Sequence, residues 1–590
     1  MYKLKSRHCY SKTKTSVIQY IFSFIFLCIS TITVFQLKAD DLISNKSLTY
    51  GEVISKYKAL DSLYIQGKMI TYGRTDCGEP LHLFVITSTG VFDPKRLHEL
   101  NKCILFINNG IHAGEPDGID ASIQLATDLL EKPLYKRLIE NVVVCIVPVF
   151  NIDGALQRGC CSRANQNGPY EYGFRANALN LDLNRDFVKS DSKSTKTLIN
   201  ILRQWDPDVI VDTHVSDGAD YQYTMTLIAE QHNKLQKDIG KLMQQKLTPA
   251  LYSKMKDLND EMSPYVQHLE NQNIPDSGIV AFLETPRYLC GYASLFHAFA
   301  YTSEAHMLKP FSLRKKSTYN LLSTFVELCN EYGEKIIETR KLAEREAMKK
   351  QYFLFNWKCD TTQFDLLDFK GYKAGFKTSQ VTDEQRLFYN QTMPYKKKIR
   401  YYNTYYASDS IEIPRYIYIP QAYDNLIQLL HLSGVEFNRM QMDSTAIVTA
   451  TYITDYQTAK SPKEGHYLHY DIKTSKQQRE ISLHKNDFLI SLPQKNMGYI
   501  METLTPQACD SYFCWGFFDS FLEQKEWISD YLYEDQAAEL LKKDTHLKTN
   551  FEKWKLENPG IDAYSKLNYI YRNSSDFEKT FMRYPVFFIY

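Results

Sequence analysis

The 590-residue sequence carries almost no excess charge of either sign: 70 lysines and arginines stand against 69 aspartates and glutamates, a formal net charge of +1. Chains that hold nucleic acid do so with a basic surplus that neutralises phosphates, so this balance argues against such a partner. Internal repeats and low-complexity linkers are also missing, which removes solenoids and tethered modules from consideration. Of the 12 cysteines, two (Cys9 and Cys28) lie near the N-terminus, and the adjacent pair Cys160 and Cys161 has the wrong spacing for a C-x-x-C zinc clasp. The ten others form an even set that permits disulfides, but a chain this long does not need them to fold.

What is present describes an ordinary globular protein, with 44% hydrophobic and 24% charged residues. A single hydrophobic core stops growing at roughly 250 to 300 residues, so about two domains are expected. The 43 tyrosines and 32 phenylalanines serve mainly as core and strand residues.

Residues 1–39 read as a secretory signal peptide. Lys3, Lys5, Arg7, Lys12 and Lys14 precede an apolar run over 17–34, and Ala39 stands before Asp40 and Asp41. The run is also long enough to span a membrane, so an uncleaved anchor is the competing reading, and membrane association follows only in that case. In both readings the remaining chain is exported, to the periplasm or beyond the cell. Cys28 sits inside the apolar run, which argues against a lipoprotein.

In the first half, apolar β-branched runs at 103–107 and 142–147 flank a stretch over 118–130 whose apolar positions recur at helical spacing. A helix over 198–205, stopped by Asp206 and Pro207, then leads into a buried strand at 209–211. Strands alternating with helices predict an α/β domain over 40–350, with a mixed, largely parallel sheet and helices on both faces. Helices are expected over 235–247 and 318–350, the second closing the domain. Past residue 350, short Tyr- and Ile-rich segments between polar clusters predict a β-rich C-terminal accessory domain over 351–590, with one helix near 423–432.

Gly110-Ile111-His112-Ala113-Gly114-Glu115 follows the first strand directly. A His and a Glu three residues apart on a turn can present a nitrogen and an oxygen to one point, as zinc requires. One such pair is expected by chance in a chain with 14 histidines, but its place beyond a buried strand is where open sheets put ligands. His214 ends the apolar strand of Val209-Ile210-Val211-Asp212-Thr213-His214 and is the candidate third ligand. Two His and one Glu with an open position form a catalytic zinc set, one Zn2+ per chain.

These residues together resemble the metal motif of the zinc carboxypeptidases. Asn151-Ile152-Asp153-Gly154 is similar to the family's N-P-D-G segment, with Ile152 in place of proline, and Leu181-Asp182-Leu183-Asn184-Arg185-Asp186-Phe187 to its D-L-N-R-N-F segment. The resemblance covers roughly residues 100–310. It implies that Asn184 and Arg185 hold the terminal carboxylate of a peptide, that Asp182 orients the ring of His112, and that Arg175 polarises the scissile carbonyl, with Arg158 and Arg163 as competitors. It also implies that Glu304, in Thr302-Ser303-Glu304-Ala305-His306, is the general base in preference to Glu284, and that Tyr288 or Tyr292 covers bound substrate. His306 is expected to be structural and not a fourth ligand.

The activity implied is a zinc metallocarboxypeptidase acting on peptides with a free C-terminal carboxylate. An amidase or esterase acting on a cell-wall peptide or an acyl-amino acid fits the same clamp. A peptide-binding protein without catalysis, or a structural envelope protein with an incidental H-x-x-E, are the readings from other classes. Asp510-Ser511-Tyr512-Phe513-Cys514-Trp515 and Arg583-Tyr584-Pro585-Val586 resemble a domain appended to bacterial members of the family. With no metal or nucleophile set there, a supporting role, shaping the cleft or binding the envelope, is expected.

Overall fold

The computed structural model describes residues 45–268 and 273–590, so the leader expected over 1–39 lies outside the described residues. Among the described residues no helix is long and apolar enough to cross a membrane. Eight strands form the N-terminal sheet: β1 Gly67–Arg74, β2 Pro80–Ile86, β3 Cys103–Asn109, β4 Val142–Val147, β5 Val209–Ser216, β6 Met225–Ala229, β7 Ser263–Pro264 and β8 Phe299–His306. Their order is β1-β2-β4-β3-β5-β8-β6-β7. The central strands β4, β3, β5 and β8 run parallel, while β1 and β2 on one side and β6 on the other pair antiparallel. The sheet is mixed with a parallel centre, as predicted.

Every residue of β3, β4 and β5 is buried. Both faces of these strands are therefore covered, which is why their sequences are continuous apolar runs and not alternating ones. The covering helices include α1 Asp117–Glu131, α2 Lys193–Trp205 and α3 Phe311–Ala347. Helix α2 starts where Ser192 accepts a hydrogen bond from the Thr195 amide, and stops where Asp206 turns left-handed (φ 40°) just before Pro207.

Strands β4 and β5 lie on opposite sides of β3. The chain thus switches direction at β3, and the crevice beyond its carboxyl end is where such sheets accept ligands. Gly110 makes the exit turn from β3 at φ 64°, a conformation that costs a residue with a Cβ. Gly118 lets the start of α1 press onto β5, since a Cβ there would stand 2.0 Å from Thr213 Oγ1. One buried ion pair locks α1 to α3. Arg314 Nε lies 2.9 Å from Asp117 Oδ1, and the remaining guanidinium hydrogens reach the carbonyls of Lys309, Asn167 and Gly168.

The C-terminal part is β-rich with several sheets. A long hairpin, Asp365–Thr378 with Gln385–Tyr402, joins the N-terminal part through Ile279–Val280. A six-stranded sheet follows, with Ser444–Thr458 and His469–Leu483 at one edge. The helix expected near 423–432 is Asp424–Leu432. Three further helices, Asp530–Lys543, Thr545–Glu557 and Ala563–Arg572, were not expected from the sequence. They share a small core of Tyr533, Phe551, Leu567 and Ile570, and their amphipathic stripes are too narrow to stand out beside the polar residues around them.

Replacing Arg314 with methionine leaves Asp117 buried without a partner, so unfolding in urea is expected to lose about 3 to 5 kcal/mol of stability at unchanged m-value. A loss under about 1 kcal/mol would show that the pair does not tie the helices together.

Candidate active site

The exit turn of β3 carries His112 and Glu115, and the carboxyl end of β5 carries His214. All three are buried. Along β5, side chains alternate, so Asp212 and His214 face the same way. Asp212 Oδ2 lies 2.7 Å from His214 Nε2, and Asn108 fixes the other oxygen of Asp212 at 2.9 Å. Asp182 Oδ1 lies 3.0 Å from His112 Nε2. A carboxylate only accepts, so each Nε2 carries the proton and each Nδ1 presents a lone pair.

Those lone pairs converge. His112 Nδ1 and His214 Nδ1 are 3.2 Å apart, with Glu115 Oε1 3.1 Å from the first and Oε2 3.1 Å from the second. One added proton can satisfy only one of these approaches, whereas a divalent cation satisfies all three. Two imidazole nitrogens and a carboxylate, with ligand atoms within 4.8 Å of one another, form a donor set suited to zinc.

Glu115 is itself held from the far side. Arg163 Nη1 donates to its Oε1 at 2.7 Å, and the Val215 amide donates to Oε2 at 2.8 Å. Arg163, weighed above only as a carbonyl-polarising group, is thus committed to a metal ligand and to the Val215 carbonyl. Arg158 points away, to the carbonyls of Ser47 and Leu48. Arg175 remains at the site. Its Nε and Nη2 brace on Asp182 Oδ2 at 3.1 and 2.8 Å, and Nη1 stands 3.7 Å from Glu115 Oε1.

Asn184 and Arg185 sit on the single turn Leu183–Arg185, which Asp182 caps through its hydrogen bond from the Asn184 amide. Asn184 Oδ1 accepts from the Leu289 amide at 3.0 Å, and the Arg185 guanidinium lies 4.1 Å from the ring centre of Tyr288. Burial would raise the Asp182 carboxyl, but His112, Arg175 and Arg185 hold it well below the usual carboxylate range. It therefore stays an acceptor for all of them.

Glu304 is on β8, directly opposite His214 in the β5–β8 register. Burial pushes its carboxyl up to about 8, against the opposing pull of His214, Arg163 and Arg175. One cavity of ≈ 320 Å³ is lined by His112, Glu115, Arg175, Asn184, Arg185, His214, Tyr288 and Glu304. Glu284 lines it too. Tyr292 does not, and the expectation that it covers substrate is corrected: it is buried among Phe187, Phe296 and Tyr499, donates to Ser433 Oγ at 3.0 Å, and borders a separate cavity. Tyr288 stands in extended backbone just before the helix Leu289–Ser294, whereas Tyr292 lies within that helix, whose residues are all buried. His306 is fully buried, stacked on Tyr221 at 4.3 Å, and is not among the convergent ligands.

The C-terminal part reaches this site. Glu464 accepts a hydrogen bond from the Asp182 amide at 2.7 Å. Asp510 takes two from Arg287, through the main-chain amide at 3.0 Å and Nε at 2.7 Å, immediately beside Tyr288.

The chain thus combines an α/β fold with a two-histidine, one-carboxylate candidate metal site beyond its parallel strands. The model of the zinc carboxypeptidase family matches residues 58–257, a segment that contains His112, Glu115, Arg175, Asp182, Asn184, Arg185 and His214. Over that segment the chain is similar to the zinc carboxypeptidase family. Among solved structures it is similar to a metallo-carboxypeptidase from Burkholderia cenocepacia, at 15% identity, 48% of this chain, 70% of that one and a TM-score of 0.36. It is also similar to the carboxypeptidase A from Helicoverpa armigera, at 15% identity, 52% of this chain, 75% of that one and a TM-score of 0.35. No curated protein matches the chain.

If Asp212 sets the tautomer of His214, replacing it with asparagine is expected to weaken zinc binding by roughly 10- to 100-fold, read by competition with a chromogenic chelator. Unchanged affinity would mean that the ring is held by other contacts.

Proposed function

We propose that the protein is a zinc metallocarboxypeptidase that removes C-terminal residues from peptides. The observation that carries this reading is the pairing of the convergent Nδ1, Nδ1 and carboxylate set with Glu304, directly opposite His214 on the neighbouring strand. Zinc held by His112, Glu115 and His214 would supply Lewis acidity, activating water and polarising the scissile carbonyl.

The chain's own residues supply the rest. Glu304, which lines the cavity, takes a proton from the attacking water at its carboxylate and returns it to the leaving amine. Arg175, braced on Asp182, keeps Nη1 free to donate to the carbonyl oxygen as charge develops there. Arg185 offers a planar fork to a terminal carboxylate, with Asn184 alongside it, a match suited to two parallel charge-assisted hydrogen bonds. Tyr288, stacked on Arg185, closes over the same spot. This clamp supports a peptidase that acts at free C-termini over an endopeptidase. The leader expected over 1–39 supports export of the enzyme to the periplasm or beyond the cell.

Two measurements test the reading. Glu304→Gln is expected to lower kcat by roughly 10²- to 10⁴-fold on blocked dipeptides while stoichiometric zinc remains bound; hydrolysis at the wild-type rate would remove Glu304 from the mechanism. Asp510→Asn weakens the brace beside Tyr288. It is expected to raise KM several-fold with a smaller change in kcat, since the loss falls on substrate positioning. Unaltered KM would show that the C-terminal part does not act on the cleft.

A further inference from the structure

The cavity holds a second acidic group that the proposed reaction does not use. Glu284 is 2% exposed, and Thr302 donates to its Oε2 at 3.0 Å. Among the described residues its other oxygen takes no hydrogen bond, although the side chain lines the cavity. Thr302 and Glu304 are two residues apart on β8 and share a face, so Glu284 is anchored on the order of 7 Å along the strand from the base. The neighbouring rungs match. Thr302 lies opposite Ile228 of β6, and Ile228, Phe282 and Tyr265 wall this end of the cavity.

Among the described residues no lysine or arginine pairs with the Glu284 carboxylate. Lys234 is close, but its ammonium lies 2.8 Å from Glu230 Oε1, and it donates to the main-chain carbonyl of Glu284, not to its carboxylate. The arginines of the cavity are engaged at the other end, on Glu115, Asp182 and the face of Tyr288. The cavity is therefore polarised: guanidinium groups beside the metal ligands, and a buried carboxylate behind apolar and aromatic walls at the far end. A ligand that fits both ends has an anionic terminus, a long apolar stem and a cationic tip.

We infer that Glu284 is a specificity-determining residue that receives the ammonium or guanidinium of a C-terminal lysine, arginine or similarly long diamino acid. The inference rests on the carboxypeptidase reading for its substrate's free carboxylate. Burial and the nearby Glu230 push the Glu284 carboxyl up to about 8, so a carboxylate there lacks the counter-charge that an entering cation supplies. The aliphatic stem of lysine or arginine suits the Ile228 and Phe282 walls. If the group instead met its ligand as a neutral acid, C-terminal glutamine or glutamate would be favoured, which gives the competing outcome.

The test uses the zinc-loaded full-length protein and blocked dipeptides ending in Lys, Arg, Leu, Phe, Gln or Glu. The expected result is kcat/KM at least roughly tenfold higher for Lys and Arg than for Leu and Phe, with Glu284→Gln abolishing that preference. Calorimetric binding of N-acetyl-lysine and N-acetyl-leucine, before and after the substitution, reads the same preference without catalysis. Preference for Leu, Phe, Gln or Glu, or a Lys preference that Glu284→Gln leaves intact, overturns the assignment, and the wild-type ranking alone decides the matter if the variant does not fold. If no peptide is cleaved yet N-acetyl-lysine binds in a Glu284-dependent way, the carboxypeptidase reading fails and the role of Glu284 stands.

Discussion

The arrangement of the site depends on two imidazoles that point their Nδ1 lone pairs at each other from different parts of the chain. That contact is repulsive unless a cation lies between the rings, and the protein holds it in place through what stands behind each ring. Asp182 behind His112 and Asp212 behind His214 both take the Nε2 proton, so the two Nδ1 atoms are the ones left to coordinate. The backing carboxylates come from a turn and from a strand, and neither can shift without moving a ligand. Glu115 is fixed by Arg163 and by the Val215 amide, which follows His214 directly. The ligands are thereby tied to one another by the protein itself, and a metal is expected to meet a largely preformed site.

Asp182 carries more of this network than any ligand does. It orients His112, braces Arg175, caps the turn that presents Asn184 and Arg185, and receives support from Glu464 through its amide. The proposed metal-binding, carbonyl-polarising and carboxylate-recognising groups thus share a single carboxylate, and the C-terminal part of the chain touches that residue. The same part pins Arg287 next to Tyr288. Buried apolar packing is continuous between the two parts, with Phe187 and Tyr292 in one core with Tyr499 and Trp515. The C-terminal part thus holds residues that flank the cavity, through Glu464 on the Asp182 amide and Asp510 on Arg287.

Much of this was legible in the sequence because the relevant signals are local. The buried strands announce themselves as apolar β-branched runs, and His112 and Glu115 follow one of them in a single motif. Asp212 was overlooked although strand alternation places it on the face of His214, two residues away; a carboxylate inside an apolar strand needs a partner, and that need was the available signal. Arg163 and Glu464 could not be found in this way. Their partners are 48 and 282 residues distant, and only the folded chain brings them together. Tyr292 differs for the opposite reason: it lies near Tyr288 in sequence, but Tyr288 precedes the helix Leu289–Ser294 in extended backbone while Tyr292 is packed inside it. The helices past residue 530 carry a narrow apolar face that composition hides.

The sheet register also separates the two glutamates that sequence alone leaves as rivals for the base. Glu304 lies opposite His214, so its carboxyl shares a rung with a metal ligand. Glu284 is attached through Thr302, whose rung is occupied by Asp212 on one side and Ile228 on the other. One step of two residues along β8 therefore converts a position beside the metal ligands into one beside an apolar wall. A base must reach the attacking water, and geometry has to allow this before acidity matters. The rung of Glu304 puts it beside the candidate metal ligands, as the proposed base requires; Glu284, held by Thr302, is anchored two residues further along β8. Two carboxyls with the same upward shift can therefore serve different ends, in the proposed reading one in the chemistry and one in the choice of substrate.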